Sequence, residues 1–182
     1  MLKGNELDEL IKREAYYGLE VCLRFDGAKP NFGDLFVICG FEHSGCSSSG
    51  NFQFASLASL GFSQVDDYFG VTSYEDEGED VVIWLYPLIK DDSVYHHPGP
   101  FDGILLSFSV LRNPAVKSEF FLKVIEEFSF HLPVSVFYKT RELDLGNPAD
   151  LSIVKSDIQE IIQYWRSEGI EPGSSAALQV HF

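Results

Sequence analysis

Three residues in the first third of the chain carry side chains that zinc accepts as ligands. Cys39, His43 and Cys46 are spaced C-x3-H-x2-C, and thiolate and imidazole groups build structural zinc sites. A fourth ligand would have to come from a distance, from Cys22 or from the pair His96-His97. Since free cysteine is often simply a core residue, we interpret Cys39 as a buried strand residue and predict neither a metal nor a cofactor. A zinc-stabilised module is the alternative.

A second motif overlaps the first and concerns nucleophilic catalysis. Gly45-Cys46-Ser47-Ser48-Ser49 is similar to the Gly-x-Ser-x-Gly elbow of α/β-hydrolases, but Ser49 stands where the last glycine belongs and no clear helix follows. The run from Glu42 to Gly50 is small and polar throughout, which predicts a loop. A small hydrolase with its site around the His43 and His96-His97 loops is therefore our alternative interpretation, because histidines can carry acid–base chemistry.

The densest negative charge lies in the middle of the chain. The run from Glu75 to Asp80 lacks the Asp-x-Asp-x-Asp-Gly spacing of a calcium loop. It is either a solvated loop or a docking surface, since interfaces are enriched in tyrosine and steered by complementary charge. As a docking surface, the predicted binding residues are Asp66, Asp67, Tyr68, Tyr74, Glu75, Asp76, Glu77, Glu79, Asp80, Asp91 and Asp92.

Net charge restricts the classes of partner. With 28 Asp and Glu against 13 Lys and Arg, the chain carries a formal net charge of -15. This charge repels nucleic acids and anionic membranes and accelerates encounter with a basic protein. The phosphate-binding patterns Gly-x-x-x-x-Gly-Lys-Ser/Thr and Gly-x-Gly-x-x-Gly are both missing from the sequence, which disfavours a nucleotide-dependent enzyme.

Cysteine count and hydropathy predict a cytoplasmic protein. Three cysteines cannot all pair within one chain, which favours a reducing compartment. The first residues, from Met1 to Asp8, include charges that a signal peptide would lack. The longest apolar run, Val81 to Ile89, is about half the roughly 18 residues that cross a bilayer.

Five segments have the composition of strands. One of them, residues 35–39, is apolar on both faces, which predicts a strand in the interior of the sheet. Residues 19–25 alternate apolar and polar side chains, the period of a strand with one buried face. Residues 81–88, 103–110 and 134–138 are rich in β-branched and aromatic residues. Because proline cannot donate a ladder hydrogen bond, Pro87 is expected to end its strand or to place it at a sheet edge.

Two Asn-Pro-Ala sequences precede the main helices. Asn113 is expected to cap a helix whose apolar stripe is Phe121, Val124, Ile125 and Phe128. After Asn147, a short turn and then a capping box of Ser156 with Gln159 are expected to start a second helix, which Gly169 ends. Near the N-terminus, Gly18 is expected to end a first helix in a left-handed conformation. Residues 176–180 are expected to form a last strand.

Taken together, these elements predict one α+β domain spanning residues 1–182. A helix of 14 to 16 residues between the strands at Gly103 and Val134 allows a parallel crossover, while the earlier half favours antiparallel neighbours. We therefore predict a mixed, mostly antiparallel sheet of five to six strands with two to three helices chiefly on one face. The leading functional hypothesis is a non-enzymatic inhibitor or immunity-type protein that binds a basic partner such as a nuclease toxin.

Overall fold

One sheet with helices packed on it organises the molecule, which confirms the α+β fold class. A computed structural model describes residues 4–31, 34, 43–48, 63–64, 67–71, 83–90 and 100–181. Over these residues the elements are helix α1 (Gly4–Ala15), strands β1 (Leu19–Phe25), β2 (His43–Ser48), β3 (Ser63–Gln64), β4 (Asp67–Val71), β5 (Ile83–Ile89) and β6 (Gly103–Phe108), helix α2 (Lys117–His131), strands β7 (Val134–Tyr138) and β8 (Arg141–Leu143), and helices α3 (Pro148–Ser167) and α4 (Ser175–Leu178).

The sheet is built from antiparallel pairs in the order β2-β4-β5-β6-β1-β7-β8, with β3 beside β5. Six of these strands have five or more residues, and β3 and β8 are shorter. Strand β1 runs antiparallel to both β6 and β7, so β6 and β7 are parallel to each other with β1 between them. The predicted parallel crossover through α2 therefore exists, but it spans one intervening strand.

The main core lies between one face of this sheet and helices α2 and α3. The predicted stripe of α2 is fully buried, and so is most of the apolar stripe of α3. These side chains pack in one cluster with the residues of β1 that point to the same face, namely Leu19, Val21, Leu23 and Phe25. The alternate residues of β1 and the residues spaced three and four apart on the helices therefore face the same core.

The opposite face of the sheet carries a smaller apolar cluster of Cys22, Leu88 and Leu105. Burial raises the pKa of the Cys22 thiol to about 12, although Arg24 opposes the shift. A thiol with so high a pKa is protonated at neutral pH and is a poor nucleophile.

Pro87 neither ends its strand nor marks a sheet edge, contrary to the sequence-based expectation. Strand β5 continues to Ile89 and lies between β6 on one side and β4 and β3 on the other. The residues of β5 that pair with β4 end at Leu85, and those that pair with β3 begin at Leu88. On the side of β4 and β3, Pro87 therefore falls between the two ladders, where its missing amide interrupts neither of them. On the other side it lies opposite Ile104 of β6.

Neither Asn-Pro-Ala helix starts as predicted. Helix α2 begins at Lys117, and no side chain caps it. Asn113 is buried and donates through Nδ2 to the Ser109 carbonyl over 2.8 Å. Helix α3 begins directly at Pro148 with Asn147 as its cap, so the exposed Ser156 lies inside the helix and caps nothing.

The C-terminal segment and Gly18 also differ from the predictions. Residues 175–178 form α4 after a cap by Ser174, where a strand was expected. Gly18 has no positive φ; instead, a Cβ there would lie 2.4 Å from the Phe108 carbonyl oxygen, so glycine is needed for close approach to β6. No helix in the described part of the chain is long and apolar enough to cross a membrane.

Candidate functional site

Most of the predicted acidic docking surface lies outside the described residues. Only Asp67 and Tyr68 fall within them, on β4, where they pair with Ser48 and Ser47 of β2. The rest lie outside: Asp66, Tyr74, Glu75, Asp76, Glu77, Glu79, Asp80, Asp91 and Asp92. This surface therefore stays a prediction.

The motifs that suggested metal binding or nucleophilic catalysis have a different local structure from the predicted loop. Residues 43–48 form strand β2 beside β4, whereas an elbow needs a sharp turn from strand to helix. Cys39, the strand predicted over residues 35–39 and the pair His96-His97 lie outside the described residues. Within the part of the chain that the structure describes, no three His, Cys, Asp or Glu side chains gather as a metal site requires.

A groove of about 1070 Å³ lies where α1 ends and β1 begins. We call it the Glu20 groove. Among the described residues, its aromatic lining is Tyr16, Tyr17, Trp84, Tyr86, Phe108 and Tyr138, and its charged lining is Glu14, Glu20, Arg112, Lys139, Asp157 and Glu160. Aromatic side chains with a majority of carboxylates make this groove suited to a cationic group.

Three of these groove residues form a row across the sheet. Ser107 of β6 pairs with Glu20 on one side and with Trp84 on the other, and residues opposite each other in a ladder point to the same face. With strands roughly 4.8 Å apart, Glu20 and Trp84 stand about 10 Å apart across Ser107. The small serine between two larger side chains leaves a space, which we call the notch.

Glu20 is the most perturbed carboxyl group in the groove. Burial raises its pKa to about 7, and no other cause contributes. Within the described residues the Glu20 carboxylate makes no hydrogen bond or ion pair. A carboxylate that has lost hydration without gaining a partner is a characteristic of functional sites.

The cations that line the Glu20 groove have other partners. Lys139 Nζ contacts Asp157 Oδ2 at 2.6 Å, and the Tyr138 hydroxyl donates to the same oxygen at 2.6 Å. Burial of Asp157 opposes its ionisation, but these two hydrogen bonds outweigh it and lower the pKa of Asp157. Arg112 lies over the Tyr17 ring and donates to the Val180 carbonyl at 3.3 Å. Neither cation contributes to the pKa of Glu20, so Glu20 has no counter-ion among the described residues of the groove.

No sequence pattern indicates the notch. The alternation of β1 placed Glu20 on the face opposite the main core, but pairing with Ser107 and Trp84 joins residues far apart in the chain. The only local signal was an acidic residue between two buried neighbours, Leu19 and Val21, which is ordinary in a strand with one exposed face.

The raised pKa of Glu20 predicts a pH-dependent effect of Glu20→Gln on stability. The pKa is about 7 in the folded state against 4.5 for the free side chain, so the wild type loses stability as pH rises through this window. Glutamine does not ionise. We therefore expect Glu20→Gln to be more stable than the wild type by about 1 to 2 kcal/mol at about pH 8, a value reduced for partial solvent screening.

Urea unfolding of both proteins between about pH 5 and pH 8 measures this effect. The stability difference should shrink toward about pH 5, where Glu20 is protonated in the folded protein. Glu126, an exposed residue of α2 outside the groove, provides the matched control in Glu126→Gln. A Glu20→Gln difference that does not change with pH would contradict the assignment.

No family model, curated protein or solved structure matches this chain.

Proposed function

We propose that this chain is a protein-interaction module that binds a basic protein partner, as an inhibitor or immunity-type protein neutralising a nuclease toxin would do. The observation that carries the proposal is the Glu20 groove, where a desolvated carboxylate without a counter-ion among the described residues lies beside aromatic side chains. Aromatic side chains are enriched in protein interfaces, and buried charge in them calls for an opposite charge. The odd cysteine count favours a cytoplasmic setting.

The overall charge supports the same proposal. A formal net charge of -15 attracts a basic protein over long range and raises the association rate, an effect that salt screens. The predicted acidic surface from Asp66 to Asp92 would add to this attraction. Steering of this kind acts on the association rate more than on the dissociation rate.

The experiment is co-purification from the native host, followed by reconstitution with the recombinant partner. We expect a basic protein whose dissociation constant rises at least about tenfold as NaCl increases from low to near 1 M, because screening removes the steering. Recovery of neutral or acidic proteins only, or an affinity that salt does not change, would refute the proposal.

Charge variants then locate the surface. Replacing Glu75, Asp76 and Glu77 by their amides should slow association with the reconstituted partner. The matched control is a triple variant that removes the same charge from exposed residues of α2 and β8, with the substitutions Glu119→Gln, Glu126→Gln and Glu142→Gln. Equal slowing by both triple variants would mean that only net charge matters and that the predicted acidic surface has no special role.

The second candidate function is a small hydrolase, for which Glu20 offers a candidate site in addition to the predicted His43 and His96-His97 loops. The observation that favours it is a pKa of about 7 for a carboxyl group inside a groove, which suits a general acid or base at neutral pH. Turnover of a fluorogenic ester or phosphate panel, abolished in Glu20→Gln, would favour this enzyme. Equal background hydrolysis by both proteins would exclude it.

A further inference from the structure

The uncompensated carboxylate of Glu20 indicates what kind of group the groove accepts. Among the described residues, five other charged side chains and four tyrosines line the groove. The charged ones are Glu14, Arg112, Lys139, Asp157 and Glu160. Lys139 forms a salt bridge with Asp157, and Glu160 accepts a hydrogen bond from the Tyr16 hydroxyl at 3.3 Å. Arg112 lies over the Tyr17 ring and donates to the Val180 carbonyl, while its buried Nε has no hydrogen-bond partner among the described residues. Neither cation of the described lining contributes to the pKa of Glu20, so the group that neutralises Glu20 has to come from outside these residues.

The notch has two different walls and a small floor. Trp84, 36% exposed, stands on one side of Ser107 and Glu20 on the other. A guanidinium group is flat, stacks on indole rings and donates two parallel hydrogen bonds to a carboxylate. An ammonium group is a compact, strongly hydrated point charge without this planar geometry. The notch therefore fits arginine better than lysine.

We propose that the notch between Trp84 and Glu20 is the docking site for one arginine side chain of the basic protein partner. This inference rests on the proposed function and adds the residue type that the partner presents. The arginine stacks on Trp84, pairs with Glu20 and hydrogen-bonds to Ser107. Charge complementarity, the aromatic wall and the spacing of the three strands support this occupant.

The same geometry makes arginine binding dependent on pH. The guanidinium group stays charged across the accessible range, so the proton on Glu20 decides whether an ion pair forms. As pH rises through about 7, Glu20 ionises and affinity increases; above this range, affinity reaches a plateau. If Glu20→Gln abolishes the pH dependence of arginine binding, that dependence arises from the Glu20 carboxyl group, because the other lining groups are the same in both proteins.

The test is an NMR titration of the full chain with N-acetyl-arginine amide, and with N-acetyl-citrulline amide as the neutral isostere. The Trp84 indole NH and the Glu20 side-chain carboxyl carbon report binding at the notch. We expect the arginine probe to bind the wild type about tenfold more tightly than the citrulline probe at about pH 8. Glu20→Gln should lose this preference, and Glu126→Gln should keep it.

Three results would overturn the inference: equal binding of both probes, a preference that persists in Glu20→Gln, or no response of Trp84 and Glu20 to either probe. The reconstituted partner separates this failure from failure of the proposed function. Salt-dependent binding of a basic partner that Glu20→Gln leaves unchanged refutes the arginine site alone. Binding of the arginine probe without any basic partner refutes the proposed function alone.

Discussion

Replacing Trp165 by alanine is expected to lower the free energy of unfolding by about 3 to 5 kcal/mol, the range for removing a large aromatic side chain from a core. Trp165 lies on α3, is fully buried and belongs to the main core cluster. Its indole Nε1 donates to the Tyr16 carbonyl at 2.6 Å, and the Arg13 guanidinium lies 5.3 Å from its ring centroid. The side chain thus joins α3 to the end of α1, beside the Glu20 groove.

Urea unfolding of Trp165→Ala and Trp165→Phe separates packing from the hydrogen bond. Phenylalanine keeps much of the ring volume but cannot donate to Tyr16, so it should cost about 1 to 3 kcal/mol. The alanine variant also leaves a cavity that the neighbouring side chains fill only partly. Equal losses in the two variants would show that the hydrogen bond, and not the packed ring, accounts for the effect.

Gly173→Ala is expected to lower the free energy of unfolding by about 2 to 4 kcal/mol, combining left-handed strain with overpacking. Gly173 has φ of 77°, and a Cβ there would lie 2.5 Å from the backbone nitrogen of Pro114. Its amide donates to the Leu111 carbonyl at 2.8 Å, so the backbone cannot move away without losing this bond. The residue ties the C-terminal segment to the turn that precedes α2.

Gly169→Ala is the matched control for Gly173→Ala. Gly169 has nearly the same φ of 76°, but nothing lies within 4 Å of the position that a Cβ would take. Gly169→Ala should therefore lower the free energy of unfolding by only about 1 to 2 kcal/mol, from the left-handed conformation alone. Thermal or urea unfolding of both variants gives the comparison. Equal destabilisation would contradict the predicted clash with Pro114.

The wrong prediction for the start of α3 reflects competition between two capping signals, which contacts with neighbouring residues decide. Ser156 and Gln159 match a capping box, but Asn147 caps α3 earlier by accepting from the Ala149 amide at 3.1 Å. Asp150 in the new first turn is buried and accepts from Arg141 and from the Asp144 amide. These contacts across the β8–α3 connection stabilise an additional two turns of helix that a local capping pattern does not reveal.

In the sheet, the structure of residues 43–48 likewise depends on a neighbouring element. Their small polar side chains have a loop composition, yet they form β2 because β4 supplies an antiparallel partner. Strand preference depends on neighbouring strands more than helix preference depends on neighbouring helices. A polar run beside an available sheet edge can therefore become a strand that its own composition does not predict.

By itself, the sequence determined the features whose cause is local. Alternation predicted β1 with its observed bounds, the spacing of three and four predicted the buried face of α2, and Gly169 predicted the end of α3. Only the tertiary structure decided that β1 lies between β6 and β7 and that Ser107 aligns Glu20 with Trp84. Strand order and register depend on contacts between residues far apart in the chain, which no local pattern encodes. The candidate arginine site is a consequence of that register.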